Sequence, residues 1–216
     1  MTKPTLKTAL VVGATGLVGN ILTHRLLDSS AYEKVKVLVR HSLGWQHPRL
    51  QEIQYDFDHP NGLLVQADDI FCCLGTTMKK AGSKDAFRKI DYKYPLDVAQ
   101  RALVNRAKQF FLVSSMGANP DSSIFYNRVK GELERDLAAL NYPALFIFRP
   151  SLLLGDRSEF RLGERIGEGL MKLLNPLIPA KYKGIRVESV ANAMFQKAQE
   201  GLTGKHIIES DQLQNF

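Results

Sequence analysis

The run Gly13-Ala14-Thr15-Gly16-Leu17-Val18-Gly19, directly behind the apolar stretch Leu6–Val12, constrains the fold more than any other segment. An apolar run that ends in glycine and resumes with helical spacing over Leu17–Leu27 reads as strand, turn and helix. Glycine at 13 permits the tight turn. Gly16 lets backbone N–H groups approach a phosphate with no Cβ in the way, and Gly19 lets the helix lie close to the strand. The helix start, with Thr15, Leu17 and Val18 around it, offers N–H donors and the positive end of its dipole to an anion. These features suit the pyrophosphate of a dinucleotide. The spacing is G-x-x-G-x-x-G rather than G-x-G-x-x-G, and a glycine turn without a ligand is the plainer alternative.

Further apolar, β-branched runs recur at Val35–Val39, Ile53–Tyr55, Ile70–Leu74, Phe110–Val113 and Leu145–Phe148. Helical patterns alternate with them over Ala86–Arg106, Tyr126–Leu140 and Phe160–Leu174. Runs that are apolar throughout fit strands covered on both faces, so the expected fold is α/β, a doubly wound parallel sheet. From about Ser151 the character changes, with Gly155, Gly163, Gly167, Gly169, Pro176, Pro179 and Gly184 and weaker strand signals. In a single domain of residues 1–216, the stretch of about 151–205 is expected to cover the carboxyl edge of the sheet and shape a substrate pocket. A last helix is predicted over Val187–Gln199, and a short strand at His206-Ile207-Ile208 is predicted to close the sheet.

The 216 residues suffice for one full-sized core. The net charge of +7 raises the question of nucleic acid, but the 29 basic residues are spread along the chain. Only short clusters stand out, Met78-Lys79-Lys80 and Lys181-Tyr182-Lys183, with no zinc-finger spacing or basic tail. A basic surface facing an anionic cofactor and substrate is the simpler reading, with no specific nucleic acid as partner. The adjacent Cys72 and Cys73 are poorly disposed for a disulfide with each other and suit a reducing compartment. The polar N-terminus runs straight into the first strand, too briefly for a signal sequence, and no apolar stretch reaches the ~18–20 residues of a membrane span. A cytoplasmic protein is expected. The histidines show no metal-ligand spacing, so no metal site is predicted.

About twenty residues beyond the glycine loop, an NAD site places a carboxylate against the ribose 2′-hydroxyl. Here the chain has Val39-Arg40-His41. A cation where a 2′-phosphate would sit points to NADP(H) in preference to NAD(H). Asp56 either accepts from the adenine amine or caps its own turn. Leu74-Gly75-Thr76-Thr77 ends the fourth strand beside the expected cofactor path. Tyr126 and Lys130, four apart, share one helix face. A tyrosine is a poor base at neutral pH, and a nearby ammonium favours its phenolate, which makes proton exchange with a substrate oxygen feasible. Ser114-Ser115 ends the fifth strand, eleven residues before Tyr126, and Ser115 is the better candidate to polarise a carbonyl.

With those residues named, the chain resembles the short-chain dehydrogenase/reductase superfamily. It is most similar to the atypical, NAD(P)-binding, epimerase-like branch that holds the Tat-interacting-protein oxidoreductase. The motifs are the glycine loop, Phe71-Cys72-Cys73-Leu74-Gly75-Thr76-Thr77, Ser114-Ser115, Tyr126-Asn127-Arg128-Val129-Lys130-Gly131-Glu132, Phe148-Arg149-Pro150 and Leu154-Gly155-Asp156-Arg157. The resemblance implies a Rossmann-like fold with NADPH across the strand ends and Tyr126 as proton donor or acceptor, partnered by Lys130. It also implies that Thr15, Gly16, Leu17, Val18, Arg40, His41, Leu74 and Gly75 lie near the cofactor. Pro150 to Leu153 would flank its nicotinamide end, with Arg157 approaching. The gap between Ser114-Ser115 and Tyr126 is shorter than in sugar-nucleotide epimerases, which leaves little room for a nucleotide-sugar.

The expected function is an NADPH-dependent oxidoreductase acting on a small carbonyl or related substrate through Ser115, Tyr126 and Lys130. The alternative is a non-catalytic NADPH-binding module whose basic surface meets a protein partner.

Overall fold

The structure, a computed structural model, describes residues 6–154, 179 and 182–216. β1 (Lys7–Val12) leads through the glycine turn into α1 (Leu17–Asp28), then β2 (Tyr32–Val39), β3 (Leu50–Gln54) and β4 (Asp69–Cys72). Two short helices follow, α2 (Met78–Ala81) and α3 (Lys84–Arg88). A π turn (Lys89–Lys93) joins α3 to α4 (Tyr94–Val104). β5 (Gln109–Val113), α5 (Phe125–Ala139) and β6 (Ala144–Arg149) complete the central units. β7 (Leu153–Leu154) pairs in parallel with β8 (Ile185–Arg186), and α6 (Val187–Lys197), β9 (Gly204–Glu209) and α7 (Ser210–Leu213) end the chain.

Seven strands form one sheet in the order β3-β2-β1-β4-β5-β6-β9, every pair parallel. The winding reverses between β1 and β4, and in open sheets of this kind the crevice at the reversal is where ligands bind. This is the doubly wound, Rossmann-like sheet that the apolar runs predict.

Alternation along the strands explains how both faces are covered. Ala9 and Val11 of β1, Phe71 of β4, Phe111 of β5 and Phe146 of β6 turn to one side, against α1 and α6. Leu10, Val12, Ile70, Cys72, Phe110, Leu112 and Ile147 turn to the other, against α4 and α5. Phe71, Phe111 and Phe146 stack across adjacent strands with ring centroids 4.6 and 4.8 Å apart. Each such buried ring contributes about 1.5–3 kcal/mol relative to exposure.

Some boundaries differ from the sequence pattern. The strand expected over 53–55 runs Leu50–Gln54 instead, because an edge strand is half exposed and its apolar residues do not form a continuous run. The helix expected over 86–106 is interrupted: the Tyr94 N–H bonds to the Lys89 carbonyl, an i to i−5 step. Pro95 explains it, since its ring lacks an N–H and would collide with the carbonyl four residues earlier, that of Asp91. The last helix stops at Lys197, two residues short of the prediction, and the predicted closing strand is longer at both ends. The helix predicted over Phe160–Leu174, like most of the glycine- and proline-rich segment, lies outside the described residues.

Candidate active site

The glycine loop is built by close backbone contact. Gly13 has φ +87°, and a Cβ on it would fall 2.6 Å from the Cys73 carbonyl oxygen at the end of β4. A Cβ on Gly19 would fall 2.2 Å from the Gly13 carbonyl oxygen, so α1 lies directly against the turn. The Gly16 N–H closes the loop on the Gly13 carbonyl at 2.9 Å. α1 begins at Gly16 with no side-chain cap and no acidic residue in its first turn. Its first N–H groups and its dipole are therefore available to an anion. Thr15 is exposed beside them, while Leu17 and Val18 turn their side chains into the core and leave only their backbone to that surface.

Across the reversal point, Arg40, Asp56 and Leu74 line one cavity of 540 Å³ together with Tyr55, Phe57, Ile90 and Tyr94. Arg40 is exposed at its rim. His41 is also exposed and is not among the lining residues. Asp56 caps its own turn: Oδ1 accepts from the Asp58 N–H at 2.8 Å, and Oδ2 lies 3.0 Å from Nδ1 of His59. These two contacts hold its carboxyl below the ordinary aspartate range, with His59 the larger cause.

At the other end of the crevice the strand ends bring three elements together. Lys130 on α5 is buried, and its ammonium lies 2.8 Å from Oδ1 of Asp91, itself buried in the π turn. Burial alone would push that ammonium down, but Asp91, with Tyr126 adding to it, outweighs burial and holds Lys130 above the ordinary lysine value. Gly75 covers the pair; a Cβ on it would stand 3.6 Å from Asp91 Oδ1 and 3.8 Å from Lys130 Nζ. Thr76 donates its N–H to Asp91 Oδ2 at 2.8 Å. Tyr126, one turn before Lys130, packs its ring 5.4 Å from that of the buried Phe87.

The loop between β5 and α5 sets the serines against that helix. A Cβ on Gly131 would fall 2.2 Å from the backbone of Asn119 and Pro120, so the loop rests directly on α5. Asn119 donates its N–H to the Asn127 carbonyl at 3.0 Å. Ser114 and Ser115 then part company. Ser114 Oγ donates to Glu134 Oε1 at 2.5 Å, and Glu134 also pairs with Arg149, which reaches Glu209 at 2.9 Å. Ser115 Oγ is buried with no hydrogen-bond partner among the described residues. Buried Pro150 accepts from the Met116 N–H at 2.9 Å and so braces the same turn. Leu153 is half-buried in β7, and Arg157 lies outside the described residues.

Sequence reasoning missed Asp91 and Glu134, and it named Arg149 only within the Phe148-Arg149-Pro150 motif, without its pairing to Glu134. Pro95 inside a helical pattern was the available signal for Asp91; Glu134 follows Lys130 by one turn on the helix already singled out.

No protein-family model matches the chain. It is 35% identical to the protein FMP52-1, mitochondrial, of Scheffersomyces stipitis over 207 residues, which span 89% of this chain and 91% of that protein. It is 37% identical to HTATIP2 of Rattus norvegicus over 164 residues, 73% of this chain and 67% of that protein. The chain belongs to the HTATIP2/FMP52 family. Among solved structures it is similar to a UDP-N-acetylglucosamine 4-epimerase from Methanobrevibacter ruminantium M1 in complex with UDP-N-acetylmuramic acid. The TM-score is 0.72 at 17% identity, over 94% of this chain and 76% of that one. WbmH of Bordetella bronchiseptica, in complex with NAD+, gives 0.69 at 16% identity over 95% and 76%. At such identities the likeness concerns the fold, which is that of NAD-binding, epimerase-like enzymes.

The relatives also correct one expectation. Family members from Scheffersomyces stipitis, Candida glabrata and Candida albicans are named as mitochondrial, which overturns the cytoplasmic reading. Among the described residues no helix is long and apolar enough to cross a membrane.

Proposed function

We propose that the chain is a reductase that uses NADPH on a small carbonyl substrate, with Tyr126, Lys130 and Ser115 as its proton-transfer site. One observation carries the reading. The stretch Cys73-Leu74-Gly75 meets the glycine turn at its first residue, where a Cβ on Gly13 would fall 2.6 Å from the Cys73 carbonyl oxygen. Its third residue lies close enough to Lys130 that a Cβ on Gly75 would stand 3.8 Å from the ammonium. The phosphate-suited loop and Lys130 thus flank the same strand end, that of β4.

The residues fit the cofactor at three points. The uncapped start of α1 suits the pyrophosphate, the 540 Å³ cavity suits the adenosine end, and Gly75, lacking a side chain, lets a ribose approach the backbone that covers Lys130. Arg40 at the rim, with no carboxylate at the end of β2, favours a 2′-phosphate and hence NADPH over NADH. NADPH bound in this way supplies a hydride to the carbonyl carbon. The chain's own residues handle the oxygen. Ser115 Oγ donates a hydrogen bond to it, Tyr126 Oη delivers the proton as charge develops there, and Lys130 provides positive charge next to the tyrosine.

Calorimetric titration with NADPH and NADH, followed by NADPH consumption over a carbonyl panel, tests the reading. Tighter binding of NADPH is expected. Tyr126→Phe is expected to lower turnover about 10²–10⁴-fold while leaving NADPH affinity nearly intact. Binding without consumption of NADPH on any carbonyl would favour a binding module, and unaltered turnover in Tyr126→Phe would remove the tyrosine from the mechanism.

A further inference from the structure

Asp91 is buried to 1% side-chain exposure in the middle of a helix, and it faces Lys130, which is buried to 4%. An aspartate is placed there by the π turn, whose extra residue per turn rotates Asp91 off the course an unbroken α-helix would give it. π turns recur at functional sites because the distortion has a cost that plain packing does not require. The titratable groups facing Lys130 are Asp91 from the π turn, Tyr126 from its own helix and Cys72 from β4. Asp91 is the only carboxylate among them within the described residues.

We propose that Asp91 is a positioning residue of this site, one carboxylate oxygen fixing the Lys130 ammonium and the other fixing the Gly75-Thr76 backbone against it. The inference rests on the reading of Lys130 given above. The two contacts, 2.8 Å to Lys130 Nζ and 2.8 Å to the Thr76 N–H, use different oxygens of one carboxylate. The backbone that would border the cofactor and the lysine that serves the proton transfer are therefore held by one group and move together. Without that carboxylate, a lysine this deeply buried gives up its proton rather than remain charged.

The test needs neither substrate nor cofactor. Lysine labelled with ¹³C at Cε is followed by NMR against pH, with the Lys130 resonance assigned by its loss in Lys130→Met. In Asp91→Asn the Lys130 midpoint is expected to fall by about two pH units or more. In Asp91→Glu, which keeps the charge, it is expected to stay within about one unit of the parent. A role in packing alone would lower stability and leave the midpoint unmoved, and an unmoved midpoint in Asp91→Asn overturns the proposal. Asp91→Asn leaves a buried ammonium without its counter-charge and is at risk of unfolding. The pair Asp91→Ala/Lys130→Met carries no buried charge, and in it exchange of the Thr76 amide is expected to rise about tenfold, for one lost hydrogen bond of about 1.4 kcal/mol. Unchanged Thr76 exchange there overturns the clamp. Because both readouts are independent of turnover, a shifted midpoint with no reductase activity would defeat the proposed function and leave Asp91's role standing.

Discussion

Ser114 donates its hydroxyl to the buried carboxylate of Glu134, while Ser115, one residue on, has a buried hydroxyl with no partner among the described residues. Neighbours in sequence thus differ, Ser114 being tied into a bracing network with Arg149 and Glu209, and Ser115 being the hydroxyl that the proposed mechanism turns on the substrate oxygen. Ser115→Ala is expected to lower turnover about 10²–10³-fold with little change in melting temperature. Ser114→Ala is expected to keep its turnover per folded molecule and to lose about 1–3 kcal/mol of stability, because Glu134 loses a buried donor. Urea denaturation alongside initial rates separates the two.

Gly131 tests whether the loop bearing the serines depends on contact with α5. Alanine in a helix interior gains about 1 kcal/mol over glycine. Here a Cβ would stand 2.2 Å from the Asn119 backbone and 2.2 Å from the Pro120 nitrogen, and backbone cannot swing aside. The clash outweighs the gain, and a net loss of about 1–3 kcal/mol is expected for Gly131→Ala. A variant as stable as the parent would contradict the packing described.

Arg40 is exposed and lines the cavity, and on the proposed reading it meets the cofactor only at the 2′-phosphate. Arg40→Ala is expected to weaken NADPH binding about tenfold and to leave NADH binding unchanged. Equal losses for both cofactors would show that Arg40 does not distinguish them.

Asp69, at the amino end of the central strand β4, gives a pH signature. It is fully buried, and burial raises its carboxyl above the ordinary value despite hydrogen bonds from Tyr32 and Gln109 and the ammonium of Lys7. The folded state therefore holds this proton more tightly than the unfolded chain. Stability from this group is present below the unfolded value near 3.8 and declines as pH rises to the raised folded value. Asp69→Asn removes that decline. The stability of the variant minus that of the parent, measured by denaturation, is expected to increase with pH across this window and then level off.

The sheet was legible because buried parallel strands announce themselves as unbroken apolar runs; β3 was misplaced because an edge strand does not. Tyr126 and Lys130 were legible because both lie on one helix, four residues apart. The contact of Asp91 with Lys130 was not, since it spans separate elements and depends on a local change of helical register. Pro95 marks that change in the sequence, yet a proline signals only a disturbance, not the direction in which a neighbour is turned. The choice between Ser114 and Ser115 rests on Glu134, whose reach to β5 follows from how α5 packs.

The meeting of Gly13 with Cys73 is a contact of main chain with main chain, and Gly19 meets Gly13 in the same way. The bed of the crevice consequently offers natural variation almost nothing to work on, because any added carbon there collides with peptide groups that have nowhere to go. In this chain, substitutions that leave the main chain in place are therefore confined to the banks, at Arg40 and along 54–58, while the bed at Gly13 and Gly19 admits no added carbon.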